Sequence, residues 1–491
     1  MVYLPYIYIN NEGVKTHLTL LSIMDEITSL LNSRASVSSI ISILKNKSII
    51  VPAWNKLIDD YEPTKHEIVT DTISRKDRIR KDGVKEEASR IYIGLEKLLV
   101  KRMTEFMFAI NVKRIYHNIE GSETRQQISK AIESIYKYAR IDAENIRRGI
   151  AYFASCEFFT MWYAVEKPNN LYGFKSKYKL KCKTYSPMDG VSLYPLFDEL
   201  GDMIAMSFEY KRTIRDKDVT YFETYTANKH YKWKQEDEGW RTLVDGENMI
   251  LMKIPGIYGY RSQPIYHGLT YIRKDIEYTL SRNSDVIAYN ASPVLKVSGK
   301  MVGEEDKGES RRLFRMEAGG DVSYVSWSQA NEAVKYHIDT LLRLYWMQAQ
   351  IPDISFDNLA GLGNIGFDAR KTLLTDAHLK VGDESGAWIE LFDREANIVK
   401  EFLKLLNTSW AKEIDNIEVE NIITPYIQED ENASIDKAIK ANGGKPILSQ
   451  LESIRMAGIS KDPQATLEQI QKEESESATN SIKNIFGEGA E

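Results

Sequence analysis

Two stretches of the chain, residues 268–290 and 328–350, repeat apolar residues at intervals of three and four positions. This spacing places the apolar side chains on one face of an α-helix. The faces consist of Leu269, Ile272, Ile276, Leu280 and Ile287 in the first stretch and Ala330, Val334, Ile338, Leu341 and Tyr345 in the second. We therefore predict an antiparallel pair of long helices, each with an apolar face that must pack outside the segment, most simply on copies of the same chain.

The opposite face of the first helix is predicted to be polar, because it carries Arg273, Lys274, Glu277 and Arg282. In the second helix Ser328 can cap the first turn. The helix is predicted to end before Pro352, since proline cannot continue the hydrogen-bond ladder.

A small β-module is predicted between the two helices. Residues 294–298 alternate in character, residues 303–309 form an acidic loop, and residues 311–317 and 321–327 are joined through Ala318-Gly319-Gly320. Alternation is typical of strands, and a glycine-rich link between two such runs favours a tight turn. The pattern predicts a hairpin over residues 311–327.

The rest of the chain changes from helical to strand-like spacing. Helices are predicted over residues 18–44, 86–112 and 128–148, buried core over 149–165, a solvated charged loop over 75–85, and short strands over 175–254 with an edge hairpin near 225–240. Helices followed by a run of strands indicate the α+β class.

Composition limits the kind of protein this is. The chain has 491 residues, 43% hydrophobic and 28% charged, which is ample for a large core in two or three domains. Its net charge of −6 gives no overall attraction to nucleic acid or anionic lipid, so any DNA contact must be local. Cys156 and Cys182 cannot build a disulfide framework or a CxxC metal site. Neither an export signal nor an apolar run of bilayer length is visible, so we expect an intracellular chain without a membrane span.

Motifs that could carry catalysis fail on context. Residues 361–366 spell GxGxxG, but a dinucleotide site needs a preceding strand and a βαβ unit, whereas a helix, Pro352 and an acidic loop precede these glycines. Gly443-Gly444-Lys445 is half of a phosphate loop followed by Pro446. The histidines are scattered singly and no carboxylate pair stands beside a nucleophile. We predict no enzymatic activity, no cofactor and no metal site.

Several features together resemble one known family. They are the helix–hairpin–helix order, the run from Ile351-Pro352-Asp353 through Asn358, Gly361, Gly363 and Gly366, the helix 388–406 headed by Trp388, the stretch from Tyr138 to Met188, and Ile459-Ser460-Lys461-Asp462-Pro463 before a Glu-rich tail. The chain resembles the portal proteins of tailed double-stranded DNA bacteriophages, of the siphophage type. The resemblance covers roughly three-quarters of the chain as pattern rather than identity.

The resemblance implies an architecture for the chain. It implies an α+β protomer with an α/β wing, a two-helix stem, a small β-hairpin clip, a tunnel loop and helix, and a C-terminal helical crown. The corresponding residues are 1–267 for the wing, 268–290 and 328–350 for the stem, 291–327 for the clip, 351–379 for the tunnel segment, 380–413 for a wing return helix and 414–491 for the crown.

The resemblance also implies a function. The chain would form a dodecameric ring at one capsid vertex, assembled in the host cytoplasm and retained in the virion. Double-stranded DNA would pass through the ring without sequence preference during packaging and ejection. The implied partners are the large terminase motor, the head–tail adaptor, and the major capsid and scaffolding proteins.

Individual residues receive roles by position. DNA-facing tunnel candidates are Asn358, Asn364, Arg370 and Lys371, and the tunnel-loop hinge candidates are Pro352, Gly361, Gly363 and Gly366. Candidates for docking at the clip are Arg311, Arg312, Phe314, Arg315 and Trp327. Candidates for stem packing are Leu269, Ile272, Ile276, Leu280, Val334, Ile338, Leu341 and Tyr345. Arg370 and Lys371 could equally solvate a helix or pair with Asp368 and Asp376.

Two alternatives remain at this stage. One is another ring-forming virion protein, such as a tail adaptor or a capsid component, although adaptors are usually much shorter. The other is a packaging enzyme, an ATPase or a nuclease, against which the missing phosphate loop and the missing acidic metal cluster argue.

Overall fold

The computed structural model describes residues 31, 36–46, 51–79, 83, 85–290, 294–298, 301–306, 312–316, 321–325, 330–353, 372, 374–426, 435, 439–441, 447–458, 460 and 462–486. The chain divides into two compact units. The first comprises residues 1–353 and 376–426, and the second comprises residues 354–375 and 427–491.

The first unit contains most of the helices. They are α1 (Val37–Leu44), α2 (Trp54–Tyr61), α3 (Glu67–Thr70), α4 (Leu95–Phe108), α5 (Glu123–Ala139), α6 (Ile141–Ser155), α7 (Thr270–Asn290), α8 (Ala330–Ala349), α9 (Thr375–Leu406) and α10 (Ala411–Ile414). Short 3-10 helices occur at Pro63–Lys65, Pro187–Asp189 and Thr408–Trp410.

The strands of the first unit are all paired in antiparallel fashion. They are β1 (Arg78–Ile79), β2 (Lys85–Glu86), β3 (Lys113–His117), β4 (Glu157–Asn169), β5 (Ser176–Tyr185), β6 (Ser192–Phe197), β7 (Met203–Ile214), β8 (Lys217–Thr226), β9 (Lys229–Glu236), β10 (Gly239–Asn248), β11 (Gly256–Tyr260), β12 (Val294–Ser298), β13 (Met301–Asp306), β14 (Arg312–Met316), β15 (Asp321–Val325) and β16 (Glu418–Ile422). Helices together with antiparallel sheets confirm the α+β class.

The strand-rich region predicted over residues 175–254 is confirmed as a five-stranded meander in the order β10-β9-β8-β7-β6. Alternation along its strands gives each face its own core. One face carries Phe208 and Tyr225 against Phe159 of β4. The other carries Phe222 and Trp233, which α1 covers.

A second sheet, in the order β11-β4-β5, packs near α5, α6 and α9. At its centre the fully buried Arg148 of α6 donates to both carboxylate oxygens of Glu395, at 3.1 and 2.5 Å. The Trp162 indole N–H donates to the same carboxylate at 2.7 Å. Burial opposes the charged guanidinium, yet Glu395 outweighs it and raises the pKa of Arg148. This pair therefore joins a helix, a strand and the long α9 in one contact.

Aromatic side chains complete the same core. Trp388 is fully buried, stacks on Phe158 at 5.4 Å between ring centroids, and meets Phe108 edge-on at 4.8 Å. The residues predicted as buried core over 149–165 divide between α6 and β4, because Cys156 takes a positive φ of 66° and turns the chain from helix to strand.

Three helix predictions require correction or restriction. The helix predicted over 86–112 begins only at Leu95, and residues 87–94 before it have no regular secondary structure. The helix predicted over 128–148 is two helices, since Arg140 has a φ of 60° and ends α5. Of the helix predicted over 18–44, the described helical span is Val37–Leu44.

The charged stretch 75–85 is not simply a solvated loop. It contributes β1, and Arg75 is buried with its guanidinium 2.6 Å from Asp285 of α7. The charge pattern did not show that an acidic partner more than 200 positions away would pair with this arginine.

The hairpin predicted over residues 311–327 is wrong. Strand β14 pairs with β13 and β15 pairs with β12, so two ladders are nested instead of β14 pairing with β15. The supposed acidic loop 303–309 begins as strand, because residues 303–306 lie in β13. The Ala318-Gly319-Gly320 link thus connects two ladders, and a glycine-rich link marks a break between strands as readily as a tight turn.

The second unit contains two described helices, α11 (Gln450–Ala457) and α12 (Pro463–Phe486). Ser449 and Glu452 form a capping box at the start of α11, and Gly458 ends it with a φ of 72°. Asp462 accepts from the Ala465 N–H at 3.0 Å at the start of α12. The GxGxxG segment 361–366 lies outside the described residues.

We expect Glu395→Gln to destabilise the first unit by about 3–5 kcal/mol, the usual cost of leaving a buried charge without its partner. The amide can still accept from Trp162, so the change isolates the lost charge beside Arg148. Urea denaturation followed by circular dichroism measures it. Glu390→Gln, on an exposed surface of the same helix, is the matched control and should have little effect. Equal effects of the two changes would contradict this account.

Candidate functional site

The two long helices predicted by the apolar spacing are present as α7 and α8, and they contact each other. His337 of α8 lies 3.2 Å from Asp275 of α7. The four strands β12–β15 occupy the chain between them. These are the helices predicted from the sequence to pack on copies of the same chain. The contacts that attach them to the rest of the protomer therefore define the candidate site.

A fully buried arginine attaches α7 near its first turn. Arg273 donates to three carboxylates on three different elements: Glu96 at 2.9 Å, Glu277 at 2.8 Å and Asp60 at 3.0 Å. Glu96 and Glu277 are also fully buried. The guanidinium fork therefore ties α7 to α4 and α2 at one point.

A histidine completes this cluster. The ring of His66 is fully buried, with Nδ1 2.6 Å from Glu277 Oε1 and Nε2 3.0 Å from the Asp60 carbonyl oxygen. Both ring nitrogens therefore contact oxygen atoms of the cluster, and His66 links the Glu277 carboxylate of α7 to the backbone at Asp60. Asp60 is the more exposed rim of the cluster.

The electrostatics of the cluster reflect its burial. Burial raises the pKa of Glu96 even though the Arg273 guanidinium lowers it. Burial also opposes the charge of Arg273, but Glu96 and Glu277 outweigh it and raise the pKa of that guanidinium. Burial, and then the Glu96 carboxylate, raise the pKa of the Tyr345 phenol of α8 far above its usual range. The second helix thus lies in the field of the same cluster.

A column of polar side chains continues along α7. Ile93 donates its backbone N–H to Glu277, Ile91 to Ser281 and Ser89 to Asp285, at 2.9, 2.9 and 2.8 Å. Four residues of helix rise about 6.0 Å and two residues of extended chain advance about 6.7 Å, so the two repeats nearly match. The chain between β2 and α4 forms no helix, and its backbone pairs with this column instead.

The predicted polar face of α7 is not solvent-exposed throughout, because Arg273 and Glu277 are buried inside the protomer. Periodicity separates two faces of a helix but does not say which one is buried. Lys274 is half-buried beside Glu67, at 2.9 Å, and Arg282 is exposed.

The stem-packing candidates divide into two groups. Leu269, Ile276 and Tyr345 are buried within the protomer. The others are half-buried, namely Ile272, Leu280, Val334, Ile338 and Leu341. None of these positions is fully exposed, so the protomer itself covers part of the predicted apolar faces.

Exposed apolar residues on the helix pair lie elsewhere. Tyr336 is 74% exposed and Met347 64% exposed on α8. They are eleven residues apart, which places them on the same face about three turns apart. Tyr271 and Ile287 are exposed on α7. Helical periodicity does not reveal Tyr336, Met347 and Tyr271, because they do not continue the three-and-four repeat. A large apolar residue on the polar side of a helix is nevertheless itself a signal.

The end of α8 is fixed from two sides. The Arg102 guanidinium lies 4.6 Å from the centre of the Trp346 ring, and it donates to the Pro352 carbonyl oxygen at 3.3 Å and to Asp353 at 3.4 Å. Lys380 of α9 donates from Nζ to the Ala349 carbonyl oxygen at 2.5 Å. Burial, and then the nearby Arg261, lower the pKa of Lys380 to about 8.

Other sequence-predicted site residues fall largely outside the described part of the chain. This applies to Asn358, Asn364, Arg370, Lys371, Gly361, Gly363, Gly366, Arg311 and Trp327. Pro352 lies at the end of α8, and Arg312, Phe314 and Arg315 are positions of β14. Their roles in docking and in DNA contact stay predictions.

Other chemistry is limited in the described ranges. They contain no group of three or more His, Cys, Asp or Glu side chains arranged to hold a metal ion. Burial raises the pKa of the Cys156 and Cys182 thiols, both to about 12, so neither is an activated nucleophile. No helix in this part of the chain is both long enough and apolar enough to cross a membrane.

Comparison with known proteins gives a family. Residues 43–480 match the family described as phage portal protein, SPP1 Gp6-like. The chain belongs to this family of phage portal proteins. No curated protein matches the sequence.

Similar solved structures come from gene transfer agent (GTA) particles. The neck of an empty GTA particle, computed with C6 symmetry, contains a chain 10% identical, with a TM-score of 0.40, over 82% of this chain and 95% of that one. The neck of the native particle, computed with C12 symmetry, contains a chain with 10% identity and a TM-score of 0.39, over 86% of this chain and 98% of that one. The virion of the native particle contains a chain with 10% identity and a TM-score of 0.40, over 87% of this chain and 99% of that one.

We expect Arg273→Met to destabilise the protomer by about 3–5 kcal/mol, because Glu96 and Glu277 would remain buried without their shared cation. Amide hydrogen exchange along α7, together with urea denaturation, measures the loss. Arg282→Met removes the same group from an exposed position of the same helix and serves as the control. If the two variants exchanged at the same rate along α7, the cluster would not be its main attachment.

We expect Lys380 to make stability depend on pH. Its pKa of about 8 in the folded chain is below the ordinary value of 10.5, so between these values the unfolded chain binds more protons. Stability attributable to this residue should therefore rise as the pH increases from about 8 to 10.5, by at most about 3 kcal/mol.

Lys380→Met should abolish that rise and stabilise the protein at pH 7, where the buried ammonium is otherwise costly. The measurement is the difference in unfolding free energy between wild type and variant across this pH range. A difference that does not change with pH would contradict the burial of a charged amine.

Proposed function

We propose that the chain is the portal subunit of a phage-like particle, forming a dodecameric ring that conducts double-stranded DNA into and out of the capsid. The observation that carries the proposal is the family match over residues 43–480. The ring, the channel and the location at a capsid vertex in the virion follow from that membership as part of the proposal.

The helix pair α7–α8 would be the stem of this ring. Tyr336 and Met347 support this assignment, because they expose two large apolar side chains on one face of α8. Exposed apolar surface on a long helix marks a site of contact with another protein when it forms a patch. In a closed ring the neighbouring copy supplies that surface through a repeated head-to-tail contact.

The remaining parts take their roles around the stem. Residues 1–267 and 380–413 would form the wing, 351–379 the tunnel segment and 414–491 the crown. The two nested ladders, β12 paired with β15 and β13 paired with β14, would form the clip. The large terminase motor and later the head–tail adaptor would dock there.

The DNA contact in the tunnel is proposed to be weak. Asn358, Asn364, Arg370 and Lys371 would face the duplex, and the glycines Gly361, Gly363 and Gly366 would allow the loop to bend. A conduit must hold DNA without arresting it. A small number of cationic contacts suits this better than a basic groove would, because each added phosphate contact strengthens binding. The chain would have no catalytic activity, because portal proteins are structural and the motor supplies the energy.

We expect purified protein to form closed rings with a central channel, and Tyr336→Asp combined with Met347→Asp to prevent them. Carboxylates at these positions would lose their hydration if a neighbouring copy covered them. Native mass spectrometry and negative-stain images measure the copy number and the channel. Circular dichroism should show an unchanged fold, since both residues are exposed in the protomer.

Lys335→Asp is the matched control, because it introduces the same charge at an exposed polar position of the same helix. It should assemble as the wild type does. Rings of normal size from the double variant would remove α8 from the interface. A monomeric wild-type protein that hydrolyses ATP would overturn the portal proposal itself.

A further inference from the structure

A basic β-ribbon projects from the three-stranded sheet of the first unit. Beyond Trp162, strand β4 no longer pairs with β11 and is hydrogen-bonded to β5 alone. Residues 161–185, which contain this ribbon, include six lysines and one glutamate, a local charge of +5 in a chain whose net charge is −6. Most of this positive charge lies on β5.

The lysines of β5 form a row on one face of the strand. Lys177, Lys179, Lys181 and Lys183 occupy every second position, and every second side chain of a strand points to the same side. Lys177 lies 3.1 Å from Glu166. Within the described residues, Lys179, Lys181 and Lys183 have no carboxylate at ion-pairing distance, and the latter two are exposed.

The ribbon holds this row rigidly. Its opposite face is anchored by the fully buried Leu180 and Trp162. At the tip, the Leu180 N–H donates to the hydroxyl of the buried Tyr172 at 2.9 Å, and Phe174 packs edge-on against Trp410 at 5.1 Å between ring centroids. The lysine row is thus presented on a fixed backbone.

Regular spacing of cations on a narrow ribbon fits a duplex. The row advances about 6.7 Å between lysines, so its cations can follow the phosphates along one edge of a groove. DNA carries one negative charge for about every 1.7 Å of its axis, so a linear row of cations meets phosphates along its whole length. A charged edge strand can also serve only to prevent sheet-to-sheet aggregation, which is the competing explanation.

We propose that the β4–β5 ribbon binds the phosphate backbone of double-stranded DNA through Lys179, Lys181 and Lys183, residues that are not part of the tunnel segment 351–379. The contact reads no sequence, since it reaches phosphates only. It would give a ring made of an acidic protein a local attachment for DNA that does not pass through its channel.

The test uses the full chain and a covalently closed circular duplex, which cannot thread a closed ring and so reports only on outer surfaces. Binding is measured by gel shift between 50 and 200 mM salt for wild type and for the triple variant Lys179→Gln, Lys181→Gln and Lys183→Gln. Log affinity falls with log salt, and each lost phosphate contact should make this slope less steep by about 0.9. The loss of three contacts should make it less steep by about 2.7. Between 50 and 200 mM salt, the affinity of the wild type should therefore fall roughly 40-fold more than the affinity of the triple variant.

The matched control replaces three exposed lysines on helices, Lys56, Lys101 and Lys412, by glutamine and changes the net charge equally. It should leave the slope unchanged. Equal slopes for wild type and triple variant, with or without aggregation of the variant, would overturn the proposal, as would equal binding of poly-glutamate of the same charge. Ring formation, scored by native mass on the same samples, separates failure of the ribbon from failure of the ring.

Discussion

The attachment of α7 depends on one buried guanidinium. Arg273 contacts carboxylates from α2, α4 and its own helix, and the His66 ring contacts one of them, Glu277, at 2.6 Å. Such a cluster tolerates little displacement, because any shift leaves a charge without a partner in a medium that cannot solvate it. The helix is consequently fixed in direction as well as position, and the polar column above Arg273 extends that constraint along most of its length.

The same device occurs a second time in the first unit, where Arg148 and Glu395 join α6 to α9. Apolar contacts surround both clusters, yet those contacts can slide, whereas a forked guanidinium bond has one geometry. The two ion clusters therefore act as fixed points, one at the base of α7 and one within α9. Arg102 and Lys380 add two contacts at the end of α8, so the chain leaves this helix from a defined position.

The sequence revealed the parts that depend on local spacing. The two long helices follow from residue periodicity, the strand-rich region from its Tyr, Phe, Thr and Val content between turn residues, and the buried stretch around Trp162 from a continuous apolar run. It did not reveal the burial of Arg273 and Glu277, because that depends on Glu96, 177 positions from Arg273, and His66, 211 positions from Glu277. A charged pair four positions apart looks the same on a solvated surface and in a buried cluster, and only the partners decide between them.

The hairpin prediction over residues 311–327 was wrong for a related reason. Residues 312–316 and 321–325 each have strand-like character, but a strand's partner is set by the whole set of available edges and not by the nearest turn signal. The candidate site shows the same limit: periodicity found the apolar faces of α7 and α8 but not Tyr336 or Met347, whose importance comes from what the protomer leaves uncovered. Residues that interact across copies are constrained by surfaces that one chain does not contain. For this reason the protomer's exposed side chains, more than its repeats, indicate where a ring would close.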